Sequence, residues 1–192
     1  MEATPQIKTS RLLLRAVTIE DAADIFAYAQ NPNVLRYTTG TTPGEFAATA
    51  AFVRGLTGKP DGAFAWAIRL QSGAKVIGVV EFGMRQEGTG SVDYALSEPY
   101  WNRGIMTEAV RAVLDWAYRN HPTLRTVSSS AMTANPASTR MQQECGMGMV
   151  GLEYENWVKF DHPIELAVCA IPRAEWEAAN HGGANRRQPG QE

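Results

Sequence analysis

A strand, a short loop and a long helix are predicted in succession between residues 92 and 118, and this unit constrains the fold more than any other part of the sequence. Apolar side chains alternate along the predicted strand, which covers Val92 to Leu96. Apolar residues then recur with the period of a helix, at Ile105, Ala109, Ala112, Val113 and Trp116. The loop between them ends in Arg103 and Gly104, directly before the helix.

This predicted helix start has the features of an anion-binding site. The first amides of a helix lack intrahelical partners and carry the positive end of the helix dipole. Gly104 allows a close approach of the backbone, and the Arg103 guanidinium can bind a phosphate through two hydrogen bonds. The pattern predicts a diphosphate site, although similar junctions also occur that bind nothing. It matches neither the P-loop nor the dinucleotide-binding fingerprint.

Two motifs carry a resemblance to a known family. Residues 100–109, YWNRGIMTEA, resemble the acetyl-CoA-binding motif of the GNAT superfamily of N-acetyltransferases, and in particular its RimJ/RimL-like branch. Residues 135–147, NPASTRMQQECGM, resemble a second motif of that branch. The chain departs from the branch at Asn102, where glycine is common, and at Met147, where phenylalanine is usual.

The resemblance implies an α/β fold in a single domain at residues 1–180. Its centre would be a mixed, mostly antiparallel sheet of about seven strands, splayed after a bulge between strands four and five, with helices on both faces. Acetyl-CoA is the implied cofactor, and its pantetheine arm would lie in the splay. The positions that match the motifs and the adjoining strand are Leu96, Trp101, Asn102, Arg103, Gly104, Ile105, Met106, Thr107, Asn135 and Ser138.

The resemblance also implies direct transfer of the acetyl group to a primary amine. Ser138 would donate a hydrogen bond to the departing thiolate, although it could equally decorate the first helical turn that Asn135 caps. Trp157 stands near the position where some members of the branch carry a glutamate that acts as the general base. Glu81 and Asp93 on the central strands are therefore the candidate bases, with surface salt bridges as the alternative interpretation. Water could serve instead for an α-amino group.

The acceptor is expected to be a protein or peptide N-terminus, by analogy with the branch. A small amine or amino acid is the alternative within enzymes, and a non-catalytic acyl-CoA-binding module is the alternative outside them. Aromatic residues that could line the acceptor pocket include Tyr37, Trp66 and Trp157, although aromatic residues at strand and helix spacing are more often core residues.

The composition limits the classes of binding partner that we expect for this protein. A net charge of −2 argues against general nucleic-acid binding, which needs a dense basic surface. No signal peptide or membrane-spanning apolar run is visible, which predicts a cytoplasmic protein without membrane association. Cys145 and Cys169 lack metal-site spacing and are expected to be reduced core residues, so no metal is expected. Residues 181–192 are predicted to form a disordered tail. The sequence is compatible with a homodimer.

Overall fold

The structure is a computed structural model that describes residues 3–181, and one eight-stranded sheet runs through it. The sheet has the order β1-β2-β3-β4-β5-β6-β8-β7, and its pairs are antiparallel except for β5 with β6. The strands are β1 (Ile7–Lys8), β2 (Leu12–Ala16), β3 (Ala63–Leu70), β4 (Val76–Met84), β5 (Thr89–Leu96), β6 (Thr126–Met132), β7 (Gly148–Glu155) and β8 (Ile164–Pro172). The predicted mixed, mostly antiparallel α/β fold is confirmed.

Helices cover both faces of the sheet. They are α1 (Ala22–Ala29), α2 (Pro32–Leu35), α3 (Phe46–Thr57), α4 (Ile105–Asn120), α5 (Pro136–Glu144) and α6 (Arg173–His181). The larger core lies between the sheet and α4, around residues such as Trp66, Val110 and Val113, none of which is accessible to solvent. A smaller core on the opposite face packs α1 and α3 against the sheet, around Ile25, Val53 and Val79.

The count of eight strands rather than seven comes from a break in the first predicted strand. Leu12 and Leu14 are fully buried, as the alternation predicted. Between β1 and β2, however, the Thr9 hydroxyl and the Arg11 amide donate to the carboxylate of Glu108 on α4, at 2.5 and 2.9 Å. Because these groups bond to a helix side chain, the segment bends towards α4 and the strand is interrupted.

The helix predicted from Thr42 begins later than the sequence indicated. Thr42 and Pro43 suit a helix start, yet α3 begins at Phe46. The backbone of Glu45 is extended, with φ −135° and ψ 148°, so residues 42–45 belong to the preceding loop. Thr42, Pro43 and Gly44 of that loop line a cleft in the structure.

The predicted tail, residues 181–192, lies outside the described residues except for His181, which ends α6. Within residues 3–181, none of the helices is both long enough and apolar enough to span a bilayer.

Candidate active site

A cleft opens where β5 and β6 separate. The two strands pair only from Thr89 with Thr126 to Ser91 with Ser128. Beyond this point β5 remains paired with β4 as far as Leu96, while β6 remains paired with β8. The predicted splay is therefore present, but the predicted bulge is not, because the register between β4 and β5 is continuous.

The open edge of β5 offers backbone hydrogen-bonding groups to a ligand. The amide of Ser97 donates to the carbonyl of Ile77 at 2.8 Å, which places the odd-numbered residues of β5 in hydrogen bonds with β4. The backbone groups of Tyr94 and Leu96 consequently point towards the gap. The Leu96 carbonyl accepts the Trp101 indole N–H at 2.7 Å, so its amide remains for a ligand.

The cleft has a volume of about 1370 Å³ and brings together most of the predicted site residues. Those that line it are Tyr37, Glu81, Asp93, Leu96, Trp101, Asn102, Gly104, Ile105, Met106, Thr107, Asn135, Ser138 and Trp157. Arg103 and Trp66 are not part of its wall.

The prediction that Trp66 lines the acceptor pocket is wrong. Its side chain is fully buried in the larger core and packs against Phe64 and Trp116, with ring centroids 5.8 and 5.0 Å away. Its indole N–H donates to the carbonyl of Pro5 at 2.7 Å. Alternation along β3 directs this side chain to the α4 face, on which the core is closed.

The start of α4 presents free amides to the cleft. Gly104 has a left-handed backbone, with φ +67°, and Asn102 shares that region, with φ +56°. The first hydrogen bond of the helix joins the Glu108 amide to the Gly104 carbonyl at 3.1 Å. The preceding amides of the first turn therefore have no helical partner, which is the arrangement that binds phosphate oxygens.

The side chains of Arg103 and Thr107 differ in their exposure to solvent. The Arg103 guanidinium is exposed, lies 5.9 Å from the Tyr100 ring centroid and makes no ion pair within the described part of the chain. Its charge therefore stands at the edge of the cleft. Thr107 is buried, and its hydroxyl donates to Glu144 on α5 at 3.1 Å, so its amide is the group that remains for a ligand.

Arg11 and Glu108 brace this loop on the side away from the cleft, a role that was not predicted from the sequence. The Arg11 guanidinium donates to the carbonyls of Arg103 and Gly104, at 2.8 and 3.1 Å, and to the Glu108 carboxylate at 2.6 Å. Burial opposes ionisation of Glu108. Hydrogen bonds from Thr9 and from Arg11 outweigh that effect and hold its pKa at about 2. Since the carbonyls of the loop point to Arg11, its amides are turned towards the cleft.

Ser138 lies in a polar cluster between α5 and β5. The Asn135 side chain accepts the Ser138 amide at 3.4 Å, which confirms the predicted helix cap. The hydroxyls of Ser138 and Tyr94 are 2.7 Å apart, and the Gln142 amide donates to the Tyr94 hydroxyl at 3.0 Å. Burial raises the pKa of Tyr94, so its hydroxyl keeps its proton. Tyr94 and Gln142 were not predicted site residues.

The two candidate bases face one another across β4 and β5. Glu81 forms an ion pair with Lys59. Asp93 is accessible to solvent from the cleft, but the surrounding cleft walls remove part of its hydration. This partial desolvation, together with the Glu81 carboxylate, raises the pKa of Asp93. Asp93 and Tyr94 are adjacent on β5 and point to opposite faces of the sheet. The cleft reaches both because β5 and β6 have separated.

The wall of the cleft formed by residues 35–44 is fixed to the loop between β7 and β8. The Lys159 ammonium lies 2.5 to 3.3 Å from four backbone carbonyl oxygens, those of Leu35, Arg36, Thr38 and Gly40, which share its three N–H donors. Trp157 lies on the same β7–β8 loop and lines the cleft together with Tyr37. These contacts hold the part of the cleft wall that carries Tyr37 against the loop that carries Trp157.

Neither cysteine is suited to act as a nucleophile. Both are free and buried, as predicted. Burial raises the pKa of Cys145 to about 12 and also raises that of Cys169. Thiolates are therefore scarce near neutral pH, and the site supports direct transfer rather than a covalent cysteine intermediate.

Comparison with known proteins identifies the family to which this fold belongs. The family model described as an acetyltransferase (GNAT) domain matches residues 11–148, which include β2 to β6, α4 and α5. The chain belongs to the GNAT acetyltransferase family. Members of this family transfer acetyl groups and use acetyl-CoA, so the predictions of an enzyme and of its cofactor are confirmed. The open edge of β5 and the free amides of the α4 loop fit that cofactor.

Individual relatives are distant. The uncharacterized N-acetyltransferase YoaA of Bacillus subtilis is 25% identical over 174 residues, covering 82% of this chain and 93% of YoaA. The microcin C7 self-immunity acetyltransferase MccE, solved with acetyl-CoA and AMP, has a TM-score of 0.76 at 15% identity, covering 85% of this chain and 93% of MccE.

Two structures from Vibrio cholerae also share the fold. A putative ribosomal-protein-serine acetyltransferase has a TM-score of 0.76 at 17% identity and covers 90% of this chain and 99% of its own. A spermidine N-acetyltransferase in complex with CoA and spermine has a TM-score of 0.73 at 16% identity, covering 88% and 99%. At these identities the likeness shows the fold alone.

Proposed function

We propose that this protein is an acetyl-CoA-dependent N-acetyltransferase of the RimJ/RimL-like branch that acetylates a primary amine, with a protein or peptide N-terminus as the leading acceptor. The observation that carries the proposal is the continuity of the cleft through the splayed sheet. The cleft joins the free amides of the α4 loop and Ser138 to Asp93 on the opposite face. The motif at residues 100–109 supports the choice of branch.

In this proposal the cofactor binds along one side of the cleft. Its diphosphate lies against the amides of residues 104–107, with Asn102 and Arg103 beside it. Its pantetheine arm would be held by the open edge of β5 at Leu96 and by Trp101 and Asn135, which line the same cleft. Acetyl-CoA supplies the activated acetyl group. The Ser138 hydroxyl donates to the sulfur, an interaction that strengthens as negative charge develops there.

The acceptor enters from the face that carries the carboxylates. Primary amines are protonated near neutral pH and must lose a proton before they attack. Asp93 has a raised pKa and opens onto the cleft, so it is the better proton acceptor of the pair. Glu81 is engaged with Lys59 and raises the pKa of Asp93. In a peptide acceptor, Tyr37 and Trp157 would contact the side chain of the first residue or that of the second residue.

A small amine is the second candidate acceptor. Facing carboxylates at Glu81 and Asp93 suit a cationic amine, and a structural neighbour is named as a spermidine N-acetyltransferase. The Lys159 contacts, which fix residues 35–40 to the β7–β8 loop, also favour a compact acceptor. A peptide would instead require an open path along the loop at residues 35–44.

A panel of acceptors tests the proposal. Thiol release from acetyl-CoA is measured with N-terminal peptides, with polyamines and with free amino acids, and mass spectrometry identifies the acetylated atom. The proposal expects the highest kcat/KM for peptides with a free α-amino group, and none for the same peptides blocked at the N-terminus. A preference for polyamines would favour the second candidate. Transfer to hydroxyl groups alone would contradict both.

A further inference from the structure

The cluster between α5 and β5 contains more polar groups than a helix cap requires. Gln142 is fully buried, and its amide nitrogen donates both to the Tyr94 hydroxyl, at 3.0 Å, and to the Ser129 hydroxyl, at 2.9 Å. Its carbonyl oxygen, Oε1, is buried and has no partner within the described residues. A buried, incompletely satisfied amide is costly, which indicates that the position of its nitrogen has a use.

Counting protons permits an arrangement in which Tyr94 donates to Ser138. Tyr94 has one hydroxyl proton, and its oxygen already accepts from Gln142. That proton is therefore available to the Ser138 oxygen, 2.7 Å away. When Ser138 accepts from Tyr94, its own proton is left free. Ser138 lines the cleft, so the free proton can be directed at a ligand there.

We propose that Tyr94 is a positioning residue that acts through Ser138. By donating to the Ser138 oxygen it keeps the serine hydroxyl from donating back into the cluster, and it holds that hydroxyl ready for the sulfur of the cofactor. Gln142 fixes the orientation of Tyr94. This inference rests on the role of Ser138 in the proposed function. Tyr94 lies outside both sequence motifs, and Gln142 lies in the second one.

The opposite arrangement makes opposite predictions. If the Gln142 amide were reversed, its oxygen would accept from Tyr94, and Tyr94 would accept from Ser138. The serine proton would then be occupied inside the cluster. Removing the Tyr94 hydroxyl would release that proton, and turnover would remain unchanged or increase.

Tyr94→Phe distinguishes these arrangements by steady-state kinetics. We expect kcat to fall by about 3- to 10-fold, as for one neutral hydrogen bond, with KM for acetyl-CoA nearly unchanged. Tyr118→Phe is the control, because Tyr118 is a buried tyrosine whose hydroxyl is hydrogen-bonded to Ile171 and Val127 within the larger core, outside the cleft. The control should lose stability and keep kcat. An unchanged or raised kcat in Tyr94→Phe would overturn the inference.

A double-mutant comparison separates positioning from structure. If Tyr94 acts through Ser138, the kcat of Tyr94→Phe/Ser138→Ala should equal that of Ser138→Ala alone. Independent, multiplying losses would mean that Tyr94 acts in another way, and would overturn the inference.

A binding measurement gives a readout that does not require turnover. The thiol of bound CoA is titrated by the ultraviolet absorbance of its thiolate. A donated hydrogen bond from Ser138 lowers the pKa of this thiol, so Tyr94→Phe should raise it towards the value in free CoA. No change in Tyr94→Phe, when Ser138→Ala does raise it, would refute the role of Tyr94. A wild-type protein that binds CoA but acetylates no amine would instead refute the proposed function.

Discussion

At the scale of single residues, the proposed chemistry depends on the direction in which the Ser138 hydroxyl proton points. Ser138 is half-buried, its amide is held by the Asn135 cap, and its hydroxyl adjoins Tyr94. A serine hydroxyl is a weak acid, so a hydrogen bond that strengthens as charge develops on sulfur is a more suitable role than complete proton transfer.

Ser138→Ala should therefore lower kcat by about 10- to 100-fold and leave the affinity for acetyl-CoA nearly unchanged, because the lost interaction strengthens only as charge builds on sulfur. Turnover and thermal unfolding are measured on the same preparation. Thr139→Ala is the control, since Thr139 lies on the same helix but does not line the cleft. A Ser138→Ala protein that is less stable yet fully active would return Ser138 to a purely structural role.

Individual residues also show where sequence reasoning was limited. Motif spacing located Gly104 and Ser138, because their positions follow from a loop and a helix cap. Alternation could not say which face of a strand meets the cleft, so Trp66 was assigned to the acceptor pocket although it is a core residue. The pairing of Tyr94 with Gln142 joins residues 48 positions apart and depends on tertiary packing.

At the scale of elements, the bend between β1 and β2 positions the α4 loop. Arg11 bonds to the loop carbonyls and to Glu108 together, so a strand break, a loop and a helix form one unit. The sequence predicted the loop and the helix, but it predicted an unbroken first strand. Their connection was not predictable, because it depends on a contact between residues 97 positions apart.

The depressed pKa of Glu108 predicts a specific acid sensitivity. A carboxylate whose pKa is lower in the folded state stabilises the fold above its unfolded pKa, and that stabilisation is lost as the pH falls. This stabilisation should be lost as the pH falls from about 4.5, the ordinary pKa of a glutamate, to about 2, the pKa of Glu108 in the folded protein. The free energy of unfolding, measured by denaturant titration across this range, should fall more steeply in wild type than in Glu108→Gln. Glu45→Gln is the control, since the Glu45 side chain makes no capping hydrogen bond. Equal slopes in all three proteins would contradict the assignment.

At the scale of the whole molecule, the separation of β5 from β6 makes one cleft out of two faces of the sheet. The α4 face supplies the loop amides and Ser138, while the opposite face supplies Asp93 and Glu81. Each face keeps its own core, so the sheet can open between them without loss of either. A donor and an acceptor that enter from opposite faces would meet at the centre of the gap.

Calorimetric titration of Gly104→Asp with acetyl-CoA tests whether the cofactor binds with its diphosphate against the start of α4. A Cβ at position 104 would meet the Arg11 guanidinium at 3.5 Å, an ordinary contact, and Asp and Asn tolerate the left-handed backbone there better than most residues. Gly104→Asn is thus the matched control, with the same shape and no charge. We expect the Asp variant to bind acetyl-CoA about 100-fold more weakly than the Asn variant, because its carboxylate would repel the diphosphate. Equal affinities of wild type and of both folded variants would contradict this placement of the diphosphate.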